Sequence, residues 1–144
     1  MDPEIPSIQG SEKITSVFGY WPSFHDAEVI EVMLHRNYLE TGVPALTASV
    51  HVFEMTSEVS KSGHYVCRHH SIATLRFYDL SQLLLEDFNH QNALSGLALE
   101  EIASGFNVNF HSAYGMDSSF TCKAIEVVGF ERGIPPGSVY APEA

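Results

Sequence analysis

The sequence contains two groups of side chains whose types could support metal or acid–base chemistry. His25 and Asp26 are adjacent, and His64, Cys67 and His70 lie close together in a second segment. Imidazole, thiolate and carboxylate groups are the ligands that Zn²⁺ prefers in proteins, and a zinc ion with an open position can activate water. A small metal-dependent hydrolase that uses these five residues is therefore one hypothesis for the function.

Other features of the sequence weigh against catalysis. Pro22 prevents a helix around the His-Asp pair, whereas the phosphohydrolases named for such a pair carry it on a helix. No Gly-x-Ser-x-Gly, P-loop or Rossmann pattern occurs in the chain. The adjacent carboxylates Glu86–Asp87 and Glu100–Glu101 would point to opposite faces of a strand, so neither pair predicts an acid–base dyad. We therefore expect a non-enzymatic protein with no cofactor and no resident metal ion.

Charge and composition limit the class of partner. The 144 residues include 18 Asp and Glu but 7 Lys and Arg, which gives a formal net charge of −11. Such a surface repels nucleic acid and anionic membranes and attracts a basic protein, although acidity can also serve solubility alone. No apolar run approaches the ~20 residues of a membrane-spanning helix, and the acidic start of the chain does not resemble a secretory signal. We expect a cytoplasmic protein whose two cysteines, Cys67 and Cys122, are buried free thiols.

The spacing of apolar residues predicts one short helix followed by strands. Ser11 is placed to cap a helix over 12–17, and Gly19 is placed to end it. From residue 27 the apolar period becomes two, which predicts a long hairpin over 27–55. We expect Glu28, Ile30, Val32 and Leu34 to form the core face of its first strand. One face of each later strand is marked in turn by Leu46, Ala48, Val50 and Val52; by Ala73, Leu75 and Phe77; by Leu97 and Leu99; by Phe106, Val108 and Phe110; and by Phe120, Cys122 and Ala124.

These elements indicate a mainly β protein of the α+β class. We expect an antiparallel sandwich or a strongly curved sheet of about seven strands, with a short N-terminal helix. No repeat or linker divides the chain, so we expect one domain over 1–144. The proline-containing segments 1–9 and 133–144 are expected to be loose termini.

The segment from Phe18 to Val29, which reads FGYWPSFHDAEV, is the most distinctive part of the chain. Preceded by a short helix and followed by a β-rich body, it resembles the immunity protein 50 family of bacterial polymorphic toxin systems. The resemblance is specific over 14–34 and depends on the strand pattern alone elsewhere. It implies an antidote that binds and silences a toxin encoded by a neighbouring gene, with no catalytic mechanism of its own.

The resemblance and the charge together predict occlusion of the toxin by an acidic face. A nuclease with a basic cleft is one such partner, because carboxylates would take the place of its phosphates. The candidate contacts are the exposed corner of the distinctive segment and carboxylates outside the expected core: Tyr20, Trp21, His25, Asp26, Glu54, Glu58, Glu86, Asp87, Glu100 and Glu101. A homo-oligomeric module that pairs through exposed sheet edges is a further hypothesis.

Overall fold

The structure, a computed structural model that describes residues 7–140, contains one short helix and eight strands in that range. The elements are α1 (Glu12–Phe18), β1 (Glu28–Tyr38), β2 (Val43–Val59), β3 (Tyr65–Tyr78), β4 (Ser81–Glu86), β5 (Ala93–Ile102), β6 (Gly105–Tyr114), β7 (Asp117–Cys122) and β8 (Ala124–Arg132). The prediction from the sequence was about seven strands, because Phe120, Cys122 and Ala124 were assigned to a single strand. The chain instead leaves the sheet at Lys123, and Ala124 begins a separate strand.

The strands form one antiparallel sheet in the order β4-β7-β6-β5-β1-β2-β3-β8. β8 is the last strand at one end of this order and β7 is second from the other end, yet Lys123 alone separates them along the chain. The two ends of the sheet must therefore meet. The ring of Phe77 on β3 lies 5.8 Å from that of Phe110 on β6 and 5.1 Å from that of Phe120 on β7. The sheet is thus folded over, as the sequence predicted for a strongly curved sheet.

The fold divides the sheet into two facing parts. The first half-sheet consists of β1, β2, β3 and β8, and the second half-sheet consists of β4, β5, β6 and β7. They join where Glu28 of β1 pairs with Ala93 of β5. The core lies between them, because the inward side chains of β2 and β3, such as Val50 and Leu75, have no exposed surface.

The predicted core face of β1 is wrong at Glu28, Ile30 and Leu34 and confirmed at Val32, which packs against the core. Ile30 and Leu34 are 39% and 51% exposed, whereas Val29 is buried. The pairing of β1 with β2 shifts between Val29 and Glu31, which is the position of a bulge. A bulge inserts one unpaired residue and exchanges the faces of the strand beyond it. Strict alternation therefore predicts this strand incorrectly.

The helix closes one open end of the folded sheet. Ile14 and Phe18 are buried in the same core as the strands. Ser11 occupies the N-cap position, but its side chain makes no capping hydrogen bond, contrary to the prediction. Gly19 ends the helix as predicted, with φ of 84°, and its amide donates to the carbonyl of Thr15 at 2.8 Å.

The predicted loose termini lie partly outside the described residues, which begin at 7 and end at 140. Within that range Gln9 pairs with Glu126 and covers the free edge of β8. At the other end, residues 133–140 lie back over the first half-sheet. No helix among the described residues is long and apolar enough to cross a membrane.

Candidate functional site

Residues 19–27 form a strained turn, here called the elbow, between α1 and β1. Phe24 and Asp26 have φ of 64° and 65°, which is unusual for residues with side chains. The elbow runs beside β5, where the amide of Asp26 donates to the carbonyl of Leu94 at 2.8 Å and that of Leu97 to Ser23 at 3.2 Å. The ring of Phe24 is buried in the core. These contacts hold two unfavourable backbone conformations in place.

The His-Asp pair lies on the outside of this elbow. His25 Nδ1 is 3.1 Å from Asp26 Oδ2, and the side chain of His25 is 66% exposed. The backbone amide of His25 donates to Ser23 Oγ at 3.3 Å. The pair can present an imidazole and a carboxylate to a partner. Trp21 lies behind it, half-buried, with its ring 5.7 Å from that of Phe24.

A pocket of about 210 Å³ separates the elbow from β2. Tyr20 and Glu54 line it, and the hydroxyl of Tyr20 donates to Glu54 Oε2 at 2.6 Å. Arg68 Nε donates to the other oxygen of Glu54 at 2.5 Å. Burial and the bond to Glu54 raise the pKa of Tyr20 to about 12, and the bonds from Tyr20 and Arg68 lower the pKa of the Glu54 carboxyl. Both oxygens of Glu54 are therefore engaged within the protein.

The residues of the hydrolase hypothesis do not assemble into one centre. His64 bonds to Ser62 in the turn after β2, whereas His70 lies against His51. Cys67 is a half-buried free thiol whose pKa is raised by burial and then by the charge of Asp26. Over residues 7–140 the structure contains no group of three His, Cys, Asp or Glu side chains that could hold a metal ion.

The two cysteines differ in burial. Cys122 is buried, and burial raises its pKa to about 12. Cys67, predicted to be buried, is only half-buried. Neither environment favours the thiolate that a nucleophilic cysteine needs.

A row of hydrogen-bonded polar side chains, here called the polar chain, crosses the outer face of β1, β2 and β3 and was not predicted from the sequence. It is buried at His51 and half-buried at Glu28 and His70. His51 has no exposed surface, and its Nδ1 is 2.6 Å from Glu28 Oε1. Its Nε2 is 3.0 Å from His70 Nδ1. Ser138 donates to the same oxygen of Glu28. The signal in the sequence was a histidine inside the apolar run from Val50 to Phe53, a position at which burial is common.

The segment over 133–140, here called the strap, covers the polar chain of Glu28, His51 and His70. It leaves β8 with a hydrogen bond from the amide of Gly133 to the carbonyl of His70 at 2.9 Å. The ring of Tyr140, at the end of the strap, lies 4.5 Å from the ring of Phe53 and 5.8 Å from that of His51. The strap therefore explains why polar groups on the outer face of the sheet are buried.

The remaining predicted carboxylates lie away from the elbow and are exposed. Glu58 is near the end of β2, in the hairpin that extends beyond the other strands. Glu86 and Asp87 are at the end of β4, and Glu100 and Glu101 are on β5. The structure thus places the predicted contacts in three regions: the elbow with Glu54, the β2–β3 hairpin, and the second half-sheet.

The family model of immunity protein 50 matches residues 10–133 of the chain. The match includes the helix, the elbow and all eight strands given above. No curated protein and no solved structure shows significant similarity to the chain. The similarity that the sequence suggested over 14–34 therefore extends over most of its length.

Proposed function

Because the chain belongs to the immunity protein 50 family, we propose that it neutralises a cognate toxin by binding it and covering its working surface. The second half-sheet is the proposed contact face. The mechanism needs no bond to be made or broken by the immunity protein. It needs a preformed face whose charge and shape match those of the toxin.

The proposal is carried by the distribution of charge between the half-sheets. Residues 81–122, which form the second half-sheet, include no Lys or Arg. They contain five exposed carboxylates. Glu86, Glu100 and Asp117 lie on the outer face, Asp87 follows the end of β4, and Glu101 lies on the same side as Phe106 and accepts from the amide of Ser7 at 2.9 Å. The seven basic residues lie elsewhere, where Arg68 pairs with Glu54 and Lys123 pairs with Asp79. A face with charges of one sign attracts a basic partner and increases its association rate.

The face between these carboxylates suits close docking. Across β6 and β7, Asn107 pairs with Thr121 and Asn109 pairs with Ser119. All four side chains are short and polar, so their ordering at an interface carries a small entropic penalty. They also offer hydrogen-bond donors and acceptors beside the backbone. A toxin with a basic cleft would meet carboxylates at the rim and hydrogen bonds at the centre.

Glu86 and Asp117 offer the sharpest experiment, because they lie directly opposite each other on β4 and β7. Like charges in that position destabilise a sheet. The double variant Glu86→Gln, Asp117→Asn should therefore fold at least as stably as the native chain. Loss of binding in this variant would not be a consequence of unfolding.

The association rate with the toxin domain would be measured by stopped flow at low and at physiological ionic strength. We expect the double variant to associate roughly 3- to 10-fold more slowly at low ionic strength, with a smaller difference at high salt. The matched control is Glu31→Gln, Glu131→Gln, which removes the same charge from exposed positions of the first half-sheet. Equal effects of the two variants would exclude the second half-sheet as the contact face. Absence of any complex at low salt would exclude the proposed function itself.

A further inference from the structure

The described hydrogen bonds of the strap to the sheet lie at the polar chain. Ser138 donates to Glu28 Oε1 at 2.5 Å, and the amide of Tyr140 donates to Ser138 Oγ at 3.1 Å. Pro135 to Ser138 form a turn in which Gly137 has φ of 81° and the amide of Ser138 donates to Pro135 at 3.2 Å. The strap is therefore a short, shaped segment and not a continuation of the sheet.

The hydrogen-bond geometry of the polar chain beneath the strap determines which nitrogen atoms of His51 and His70 carry a proton. The carboxylate of Glu28 is an acceptor, so His51 Nδ1 carries the proton that it shares with Glu28. In a neutral ring His51 Nε2 is then an acceptor, and His70 Nδ1 must donate to it. This arrangement leaves His70 Nε2 as the position that takes up the next proton.

Charged and titratable groups approach the chain from every element packed against it: Glu28 from β1, His51 from β2, Cys67 from β3, Asp26 from the elbow, and Tyr140 from the strap. Burial of His70, and then the neighbouring His51, lower the pKa of His70, while Glu28 and the backbone of Cys67 oppose the shift. The ring of Tyr140, 5.9 Å from that of His70, supplies part of that burial. Removal of the strap would hydrate His70.

We propose that the strap is released by acid: a proton on His70 detaches Ser138 and Tyr140 from the first half-sheet and uncovers Phe53 and His51. Thermodynamic linkage requires this coupling, because a cover that disfavours the protonated imidazole is itself disfavoured by protonation. Each pH unit by which the strap lowers the titration midpoint of His70 corresponds to about a tenfold change in the equilibrium between the attached and the released strap. The inference is independent of the proposed function.

The sign of the effect follows from the direction of the shift. The strap stabilises neutral His70, so its full contribution is present above the ordinary histidine pKa of about 6.5. That contribution is lost as the pH falls from this value through the lower pKa of the folded state. Release is therefore expected on mild acidification.

The test is NMR of the full chain from pH 8 to pH 5. The amide signals of Gly137, Ser138 and Tyr140 should move towards random-coil positions with the same midpoint as the imidazole signals of His70. In His70→Gln, which retains a donor to His51 but does not titrate, the strap signals should stay in place over this range. His64→Gln removes an exposed histidine from the β2–β3 turn and should leave the transition unchanged.

A second variant keeps the proposal testable if His70→Gln does not fold. Tyr140→Ala removes the cover, so the midpoint of His70 should move up towards its ordinary value. Strap signals that remain native at pH 5 while His70 titrates would overturn the inference. An unchanged His70 midpoint in Tyr140→Ala, or strap release that persists in His70→Gln, would do the same.

Discussion

Replacement of His51 should destabilise the protein more than replacement of its acidic partner, although both belong to one buried pair. His51→Leu leaves the carboxylate of Glu28 without its imidazole and His70 Nδ1 without its acceptor. Loss of a hydrogen bond to a charged group typically costs about 1.5–3 kcal/mol, and the neutral ring of His51 makes a second hydrogen bond that is lost as well. The side chain of Glu28 is only 15% exposed, so we expect a loss of about 3 kcal/mol.

Glu28→Gln is a milder change because an amide oxygen can still accept from His51 and Ser138. We expect a loss of about 1 kcal/mol, which is the typical net value of one hydrogen bond. The double variant should lose less than the sum of the single losses, with a coupling of about 1–2 kcal/mol, because the two residues contact each other directly.

Urea unfolding followed by fluorescence of Trp21, the single tryptophan, would measure the three free energies. The measurement should be made near pH 7.5, above the titration of His70. His64→Leu is the control, since His64 is exposed and its replacement should change stability by less than about 0.5 kcal/mol. A loss under about 1 kcal/mol in His51→Leu, or strict additivity in the double variant, would refute the reasoning.

Three further predictions concern the core, the elbow and one turn. Phe77→Ala should cost about 3–5 kcal/mol in urea unfolding because its ring is fully buried between the half-sheets, whereas Leu84→Ala, at a side chain that is 61% exposed, should cost less than about 0.5 kcal/mol. Because the pKa of Glu54 is lowered in the folded protein, its carboxylate stabilises the fold at pH values above the ordinary glutamate pKa, and this stability is lost as the pH falls through the pKa of the folded state. Tyr20→Phe removes the leading cause of the shift. Acid unfolding of this variant should therefore show a smaller loss of stability between pH 5 and pH 3 than that of the native protein. Gly115→Ala should lower the melting temperature, because φ is 80° there and an added Cβ would lie 2.4 Å from a neighbouring carbonyl oxygen.

Much of the core could be predicted because two strands alternate without interruption. Leu46, Ala48, Val50 and Val52 on β2 are all buried, as are the corresponding residues of β3. Alternation succeeded there because the pairing of β2 with β3 runs without a bulge from Ala45 to Val52. It failed on β1, where the bulge that exposes Ile30 has no signature in residue type.

The candidate site was only partly predictable. The proline and the aromatic residues indicated a turn at the elbow, but no pattern indicates that buried Phe24 adopts positive φ. That conformation depends on hydrogen bonds to β5, which is about 70 residues further along the chain. The burial of His51 likewise depends on the strap, since the adjacent strands alone would leave an outward histidine in water. Both features come from contacts distant in sequence.

The two-residue period of a strand separates the proposed contact face from the core. On β6, Phe106, Val108 and Phe110 face inward and are buried, whereas Asn107 and Asn109 alternate with them and face outward. A change at an outward position alters charge or hydrogen bonding towards a partner without changing the volume packed between the half-sheets. Outward residues of the first half-sheet around His51 cannot change in this way, because the strap packs against the outer face there. If the proposed contact face binds the toxin, its outward residues can therefore change to fit a particular partner while the packing of the core stays the same.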